Sequence, residues 1–138
     1  MTSVNDFNRT LIDEFRTHDG KVTGVFERSP LVLITTTGRK SGTKRTNPVV
    51  YTRDDNGNVV VIASKGGAPA SPDWYHNLVA NPHVTVELPG ETYEAQARVA
   101  TGEERARLFR AQADLMPNFD EYQRKTTREI PVVVLERV

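Results

Sequence analysis

The chain has 138 residues, no cysteine, a formal net charge of zero, and 37% hydrophobic and 26% charged residues. That size and balance suit one folded domain over residues 1–138 with a real core; they exclude disulfides, thiolate metal sites and cysteine nucleophiles, and the neutral balance argues against a broad nucleic-acid-coating surface. No apolar run approaches the ~20 residues of a membrane-spanning helix, and the N-terminus lacks the basic start and apolar stretch of a secretory leader, so the expected location is the cytoplasm.

In chain order, Val4, Phe7, Leu11 and Phe15 recur at helical spacing and predict an amphipathic helix over 4–17, with 1–20 as an N-terminal helix and lead-in. Leu31–Thr37 is apolar and β-branched, bounded by Pro30 and Gly38, and reads as a strand. A second strand runs from Pro48 to Arg53. Asn56-Gly57 in the turn after it is expected to supply positive φ. Val59–Ser64 is a third strand, apolar enough to be buried on both faces. A loop, Lys65–Ala70, leads to Ser71 as an expected N-cap, with Pro72 in the first helical position and Asp73 in the first turn. That helix ends before Asn81-Pro82. Val84–Leu88 and Tyr93–Ala100 alternate as strands around Pro89-Gly90. Thr101–Glu104 reads as a capping box for a helix through Leu115. A short helix over Phe119–Thr126 and a closing strand, Pro131–Glu136, complete the chain.

Short, hairpin-linked strands in this number exceed the needs of a sheet with a single buried face. The expected fold class is mainly β with α: a closed or split β-barrel with helices over its openings. A parallel doubly wound sheet is disfavoured, because the first strands are joined by turns too short for crossovers.

The neutral total hides an asymmetry. From Arg28 to Arg53 there are six cations and no acid, whereas acids are frequent from Glu87 to Glu129. Arg39, Lys40, Lys44 and Arg45 crowd a loop punctuated by Gly38 and Gly42. Glycines free backbone amides for a ligand, and guanidinium groups grip phosphate or carboxylate in a fork. The spacing matches neither a P-loop nor a dinucleotide fingerprint. A solvated hairpin explains the loop equally well. The second candidate is the run from Ala63 to Asn77, where a buried strand enters a Gly-Gly loop and then a helix. Loop amides and a helix start favour negative charge, Lys65 adds a cation and Trp74 a flat apolar face; a tight strand-to-helix turn with Trp74 in the core is the alternative. Together the two suggest an elongated ligand with a planar part and a phosphorylated tail. His18, His76 and His83 have no ligand spacing, so no metal is expected.

Three stretches in order, TTTGRKSGTKRTNP, ASKGGAPASPDWYHNLVANPHVTV and MPNFDEYQRKTTREIPVVVLE, resemble the deazaflavin-dependent nitroreductase family of actinobacteria, from about residue 25 to the end. The resemblance implies coenzyme F420 as cofactor and a split β-barrel related to FMN-binding pyridoxamine oxidases. It implies that Arg39, Lys40 and Arg45 hold the phosphate and carboxylates of the cofactor tail, with Gly38, Ser41, Gly42 and Asn47 nearby. It places Ile62, Ala63, Ser64, Lys65, Gly66 and Gly67 beside the deazaflavin ring, with Trp74 and Asn77 completing the pocket. The implied chemistry is hydride transfer to a small-molecule acceptor: a quinone, an activated enone or a nitroaromatic compound.

The chain departs from the resemblance on the acceptor side. Nitro-activating members carry several tyrosines after the last long helix, and here Met116 and Phe119 stand at matching positions. Tyr122 keeps a hydroxyl and Ser64 is retained, so these two are the candidate catalytic donors, with Met116 and Phe119 as pocket wall. The missing hydroxyls argue against nitroimidazole activation and leave quinone or enone reduction. Two other readings stay open: an FMN-dependent pyridoxamine oxidase-like enzyme, and a non-enzymatic deazaflavin-binding protein. The N-terminal helix either covers the barrel or touches a membrane surface, where Asp6, Asp13 and Glu14 would be repelled by anionic lipid. A homodimer is a further expectation.

Overall fold

The computed structural model describes residues 4–24 and 29–138, with side chains from residue 7 onward. The elements are α1 (Val4–Thr17), β1 (Leu31–Thr37), β2 (Lys44–Arg53), β3 (Val59–Ile62), α2 (Asp73–Ala80), β4 (His83–Leu88), β5 (Glu91–Val99), α3 (Gly102–Leu115), α4 (Asn118–Arg124) and β6 (Val132–Arg137). The six strands close into an antiparallel barrel in the order β1-β2-β3-β6-β5-β4. The expected barrel is thus the observed one.

Strand periodicity explains how so small a barrel fills its inside and covers its outside. Successive side chains point to opposite faces. Along β1, Val32 and Ile34 enter the barrel interior, while Leu31 and Leu33 pack outward with Leu11, Phe15 and Val22. Along β3, Val59 and Val61 point inward and Val60 and Ile62 pack outward with Leu108, Phe109 and Phe119 of α3 and α4. All four residues of β3 are buried, as its unbroken apolar run predicted. Trp74 and Leu78 carry α2 into the interior cluster, so this helix seals one opening. α1 covers the barrel: its Leu11 and Phe15 are buried against β1 rather than free for lipid. Each such side chain contributes roughly 1.5–3 kcal/mol on burial. Among the described residues no helix is long and apolar enough to cross a membrane.

Four local expectations are corrected. β2 begins at Lys44, not Pro48, because the ladder with β1 continues through Thr35–Thr46, Thr36–Arg45 and Thr37–Lys44; the Thr35 and Thr46 hydroxyls meet at 2.7 Å. β2 pairs with β3 only over Tyr51–Arg53, so its first half is an open edge, where a proline lacking an N–H is tolerated. Ser71 is not the N-cap of α2: the helix starts one residue later behind Pro72, and the Ser71 hydroxyl accepts instead from Arg128. The capping box does not form, because Glu104 is taken by Arg98 through bonds of 2.6 and 3.1 Å; a charged fork is stronger than a reach back to a backbone amide. In the β2–β3 turn, Gly57 alone has positive φ, at 82°, and Asp54 Oδ1 accepts from the amides of Asn56 and Asn58.

Candidate active site

Two clefts meet along the open edge at the start of β2. The larger, about 790 Å³, is walled on one side by the β1–β2 loop and the start of β2 and on the other by α1. Gly38, Arg39, Lys40, Ser41, Lys44, Arg45 and Asn47 line it, with Trp74 and Asn77 from α2. The smaller, about 280 Å³, is bordered by Ile62, Ser64, Lys65 and Gly66, by Pro48, Val49 and Val50 of β2, and by Met116, Asn118, Phe119 and Tyr122. Trp74 lines both.

The cationic loop owes its shape to backbone and helix contacts. Gly38 donates to the Thr43 carbonyl at 2.8 Å and Gly42 to the Gly38 carbonyl at 2.9 Å. Gly42 turns the chain at φ +71° and does not line the cleft. Asn77 is buried and ties the loop to α2: its Oδ1 accepts from the Arg39 amide at 3.1 Å and its Nδ2 donates to Thr36 Oγ1 at 3.3 Å.

Charge in the large cleft is lopsided. Its lining includes six cations (Arg9, Arg16, Arg39, Lys40, Lys44 and Arg45) against the carboxylates of Asp13 and Asp73. Arg16 is held by Glu87 through two bonds of 3.0 and 2.7 Å, which also raise its pKa. Among the described residues, the only cleft cation in a salt bridge is Arg16. Lys44 reaches no further than the Thr37 hydroxyl, at 3.0 Å. Cations that outnumber the carboxylates near them repel one another, and a ligand with several negative charges would relieve them.

The small cleft is mostly apolar, with two hydroxyls. Ser64 is buried at the start of a single turn, Lys65–Gly67, in which all three residues have positive φ: 47°, 64° and 84°. For Lys65 that conformation is unusual. Gly67 faces α4, where a Cβ would stand 2.7 Å from the Tyr122 carbonyl oxygen. Gly67 and the fully buried Ala63 therefore support this cleft from behind rather than line it. Tyr122 packs edge-to-face on Phe119, with centroids 5.2 Å apart, and its Oη accepts from Asn118 Nδ2 at 2.7 Å. Phe119 is both core and cleft wall; Met116 is half-buried at the rim.

Several cleft positions were not visible in the sequence reading. Asn8, Arg9, Ile12, Asp13 and Arg16 of α1 line the large cleft; they share a helical stripe beside the apolar one, the signal by which they could have been found. Asn118, which lines the small cleft, lies in a segment whose sequence marks no such place.

A closed antiparallel barrel with an apolar cleft, a cationic cleft and one tryptophan shared between them suits a planar group carrying an anionic tail. The chain belongs to the F420H(2)-dependent quinone reductase family, whose model matches residues 7–137. Membership makes it an oxidoreductase that uses coenzyme F420, with a quinone as the acceptor that the family description names. It is 40% identical over 111 residues to an F420H(2)-dependent quinone reductase of Mycobacterium tuberculosis (strain ATCC 25618 / H37Rv), across 78% of this chain and 74% of that one. A solved F420-H2 dependent reductase, FDR-A, is 44% identical, with a TM-score of 0.71 over 78% of this chain and 94% of its own. A structure described as a domain-swapped dimer is 39% identical, with a TM-score of 0.72 over 97% of this chain and 100% of its own. The fold is also that of a Listeria innocua structure described as a pyridoxamine 5'-phosphate oxidase, at 12% identity and a TM-score of 0.55 over 81% of this chain and 86% of its own.

Proposed function

We propose that the large cleft holds the phosphate and carboxylates of the F420 tail, and that the small cleft holds the deazaflavin ring with the acceptor beside Met116, Phe119 and Tyr122. The observation that carries this reading is the meeting of the two clefts at Trp74. Arg39, Lys40 and Arg45 bind the tail, Ser41 and Asn47 lie within the same cleft, and Arg9 adds a cation from the opposite wall. Ile62, Ser64, Lys65 and Gly66 border the ring.

When bound, the reduced cofactor supplies a hydride. The protein then supplies orientation, dryness and a proton. Val49, Val50, Ile62 and Met116 keep the cleft apolar. The Tyr122 hydroxyl donates a proton to the quinone oxygen on which negative charge develops. Asn118 donates to Tyr122 Oη, which turns the phenolic proton away from itself and stabilises the oxygen once that proton has left. Ser64 is the second hydroxyl in reach of the same cleft. With Met116 and Phe119 as its wall, the cleft is matched to a flat apolar quinone or an activated enone, and offers few donors to a nitro group. The site is proposed to work in the cytoplasm, with α1 covering the barrel, and as a homodimer.

The test is a fluorescence titration with F420 beside FMN at one salt concentration, followed by oxidation of the reduced cofactor with a quinone, an enone and a nitroaromatic. Tight F420 binding, weak FMN binding and turnover fastest with the quinone are expected. Preference for FMN would overturn the reading in favour of an oxidase, and F420 binding without turnover of any acceptor would leave a carrier protein.

A further inference from the structure

The turn beside the small cleft is strapped from behind by a residue far away in the chain. Arg128, between α4 and β6, spends all three guanidinium nitrogens on the segment 63–71. Its Nε donates to the Ala68 carbonyl at 2.9 Å, its Nη2 to the Ser64 carbonyl at 2.9 Å and its Nη1 to Ser71 Oγ at 3.1 Å. Both terminal nitrogens also reach the Ala63 carbonyl at 3.3 Å. The acceptors lie at the end of β3, at both flanks of the Lys65–Gly67 turn and just ahead of α2.

Three features distinguish this from an ordinary surface arginine. Its acceptors are main-chain carbonyls and a hydroxyl, and among the described residues no carboxylate pairs with it. Burial lowers its pKa and no acid offsets the effect. The turn it holds has positive φ throughout, a conformation that persists only when its surroundings over-determine it. A site on a loop needs such support to keep its geometry.

We infer that Arg128 is the positioning residue of the ring half of the site: its planar fork sets the backbone from Ser64 to Gly67, and so the placement of Ser64, Lys65 and Gly66 at the small cleft. It does not touch the ring. The inference rests on the ring occupying that cleft. A lysine preserves the charge but, as a point donor, cannot bridge acceptors on both sides of the turn.

The test compares Arg128→Lys and Arg128→Met with the unaltered protein in two ways. The first is amide hydrogen exchange without cofactor, at residues 63–71 and at the barrel strands. The second is the affinity for F420 and for a tail-free deazaflavin riboside. In both variants, exchange at Gly67 and Ala68 is expected to quicken while the strands stay protected. Affinity for both ligands should fall by one common factor of about tenfold, the scale of one lost charged hydrogen bond. A variant lacking tail cations would instead lose affinity for F420 alone. Unchanged riboside affinity in folded variants would overturn the proposal and leave Arg128 a structural strap. Should neither variant fold, Ser71→Ala removes one acceptor and decides: faster exchange at Ala68 with severalfold weaker riboside binding supports the proposal, and no change in either overturns it. If riboside binding to the unaltered protein leaves exchange at 63–68 unchanged, the placement of the ring itself fails, a different outcome from unchanged affinity in the variants.

Discussion

Asn77, on a helix that seals the barrel, accepts a hydrogen bond from the backbone amide of Arg39 at 3.1 Å. The cationic loop is therefore not a free hairpin: its entry is fixed to α2 one turn beyond Trp74. Asn77→Leu leaves the Arg39 amide and the Thr36 hydroxyl without this partner, at a cost of about 1–3 kcal/mol. The expected result is a lower melting temperature together with weaker F420 binding, read by thermal unfolding and fluorescence titration. Loss of stability with full affinity would mean that the loop finds its shape without the helix.

Replacing Lys40 and Arg45 together with alanine should leave the fold intact, because both are exposed and, among the described residues, neither is in a salt bridge. Affinity for F420 should fall by about tenfold or more, as each charge pair near 4 Å is worth roughly 1 kcal/mol in water and more when shielded. Affinity for the tail-free riboside should not change. Arg9→Ala should give a smaller loss of the same kind, and all these losses should shrink at high salt.

Tyr122→Phe removes the hydroxyl but keeps the ring that packs on Phe119. Turnover with a quinone should fall by about 10²-fold, the low end for loss of a general acid, with cofactor affinity nearly unchanged. Asn118→Ala should lower turnover less, because the hydroxyl remains and only its partner is lost. Unaltered turnover in Tyr122→Phe would shift the donor role to Ser64.

Gly66 and Gly67 are neighbours, and both have positive φ. Their alanine variants should nevertheless differ. A Cβ at Gly66 meets nothing within 4 Å, so only the left-handed backbone penalty of about 1–2 kcal/mol applies. A Cβ at Gly67 would collide with the Tyr122 main chain at 2.7 Å, so α4 must shift. Gly67→Ala should therefore melt lower and lose turnover as well, which paired melting curves and kinetics would show.

Three surface carboxyls, one exposed and two half-buried, have pKa values below the usual carboxylate range. The His83 hydrogen bond lowers Glu94, the Arg98 fork lowers Glu104 and the Arg110 fork lowers Asp120. A pKa lower in the folded state means stability that is fully present above the unfolded value and is lost as pH falls through the folded one. Melting temperature should hold near neutrality and fall on acidification through and below the ordinary carboxylate range. Arg110→Gln should lose part of that pH dependence, since the main cause of the lowered Asp120 pKa is then removed.

The barrel was legible in the sequence because strand alternation and turn chemistry are local signals. Leu31–Thr37 carries its own β-branched signal between Pro30 and Gly38, and the run from Val59 carries its own evidence of burial on both faces. The misread boundaries share a cause in tertiary competition. Glu104 and Ser71 suit capping by type, but Arg98 of β5 and Arg128, ahead of β6, claim them. The start of β2 was hidden because cations in a strand read as a loop until the partner strand is known. Gly38, Arg39, Lys40, Arg45 and Lys65 were found from motif and charge, Ser64 and Tyr122 through the family resemblance, and the structure gathers them around adjoining clefts. The α1 wall, Asn118 and Arg128 act across the fold, where a single sequence has no means of pairing them.

The chain contains one tryptophan, and that indole borders both clefts. The protein thus carries an intrinsic optical reporter at the junction of its two compartments. A fragment filling either compartment should perturb the same emission band, so the arrival of each can be timed without a label. Because the two fragments adjoin one side chain, occupancy of one side should alter the energetics of the other. When they are joined in a single molecule, the free energies of the parts should not simply add, and the size of that departure would measure how rigidly the indole couples recognition of charge to recognition of a flat surface.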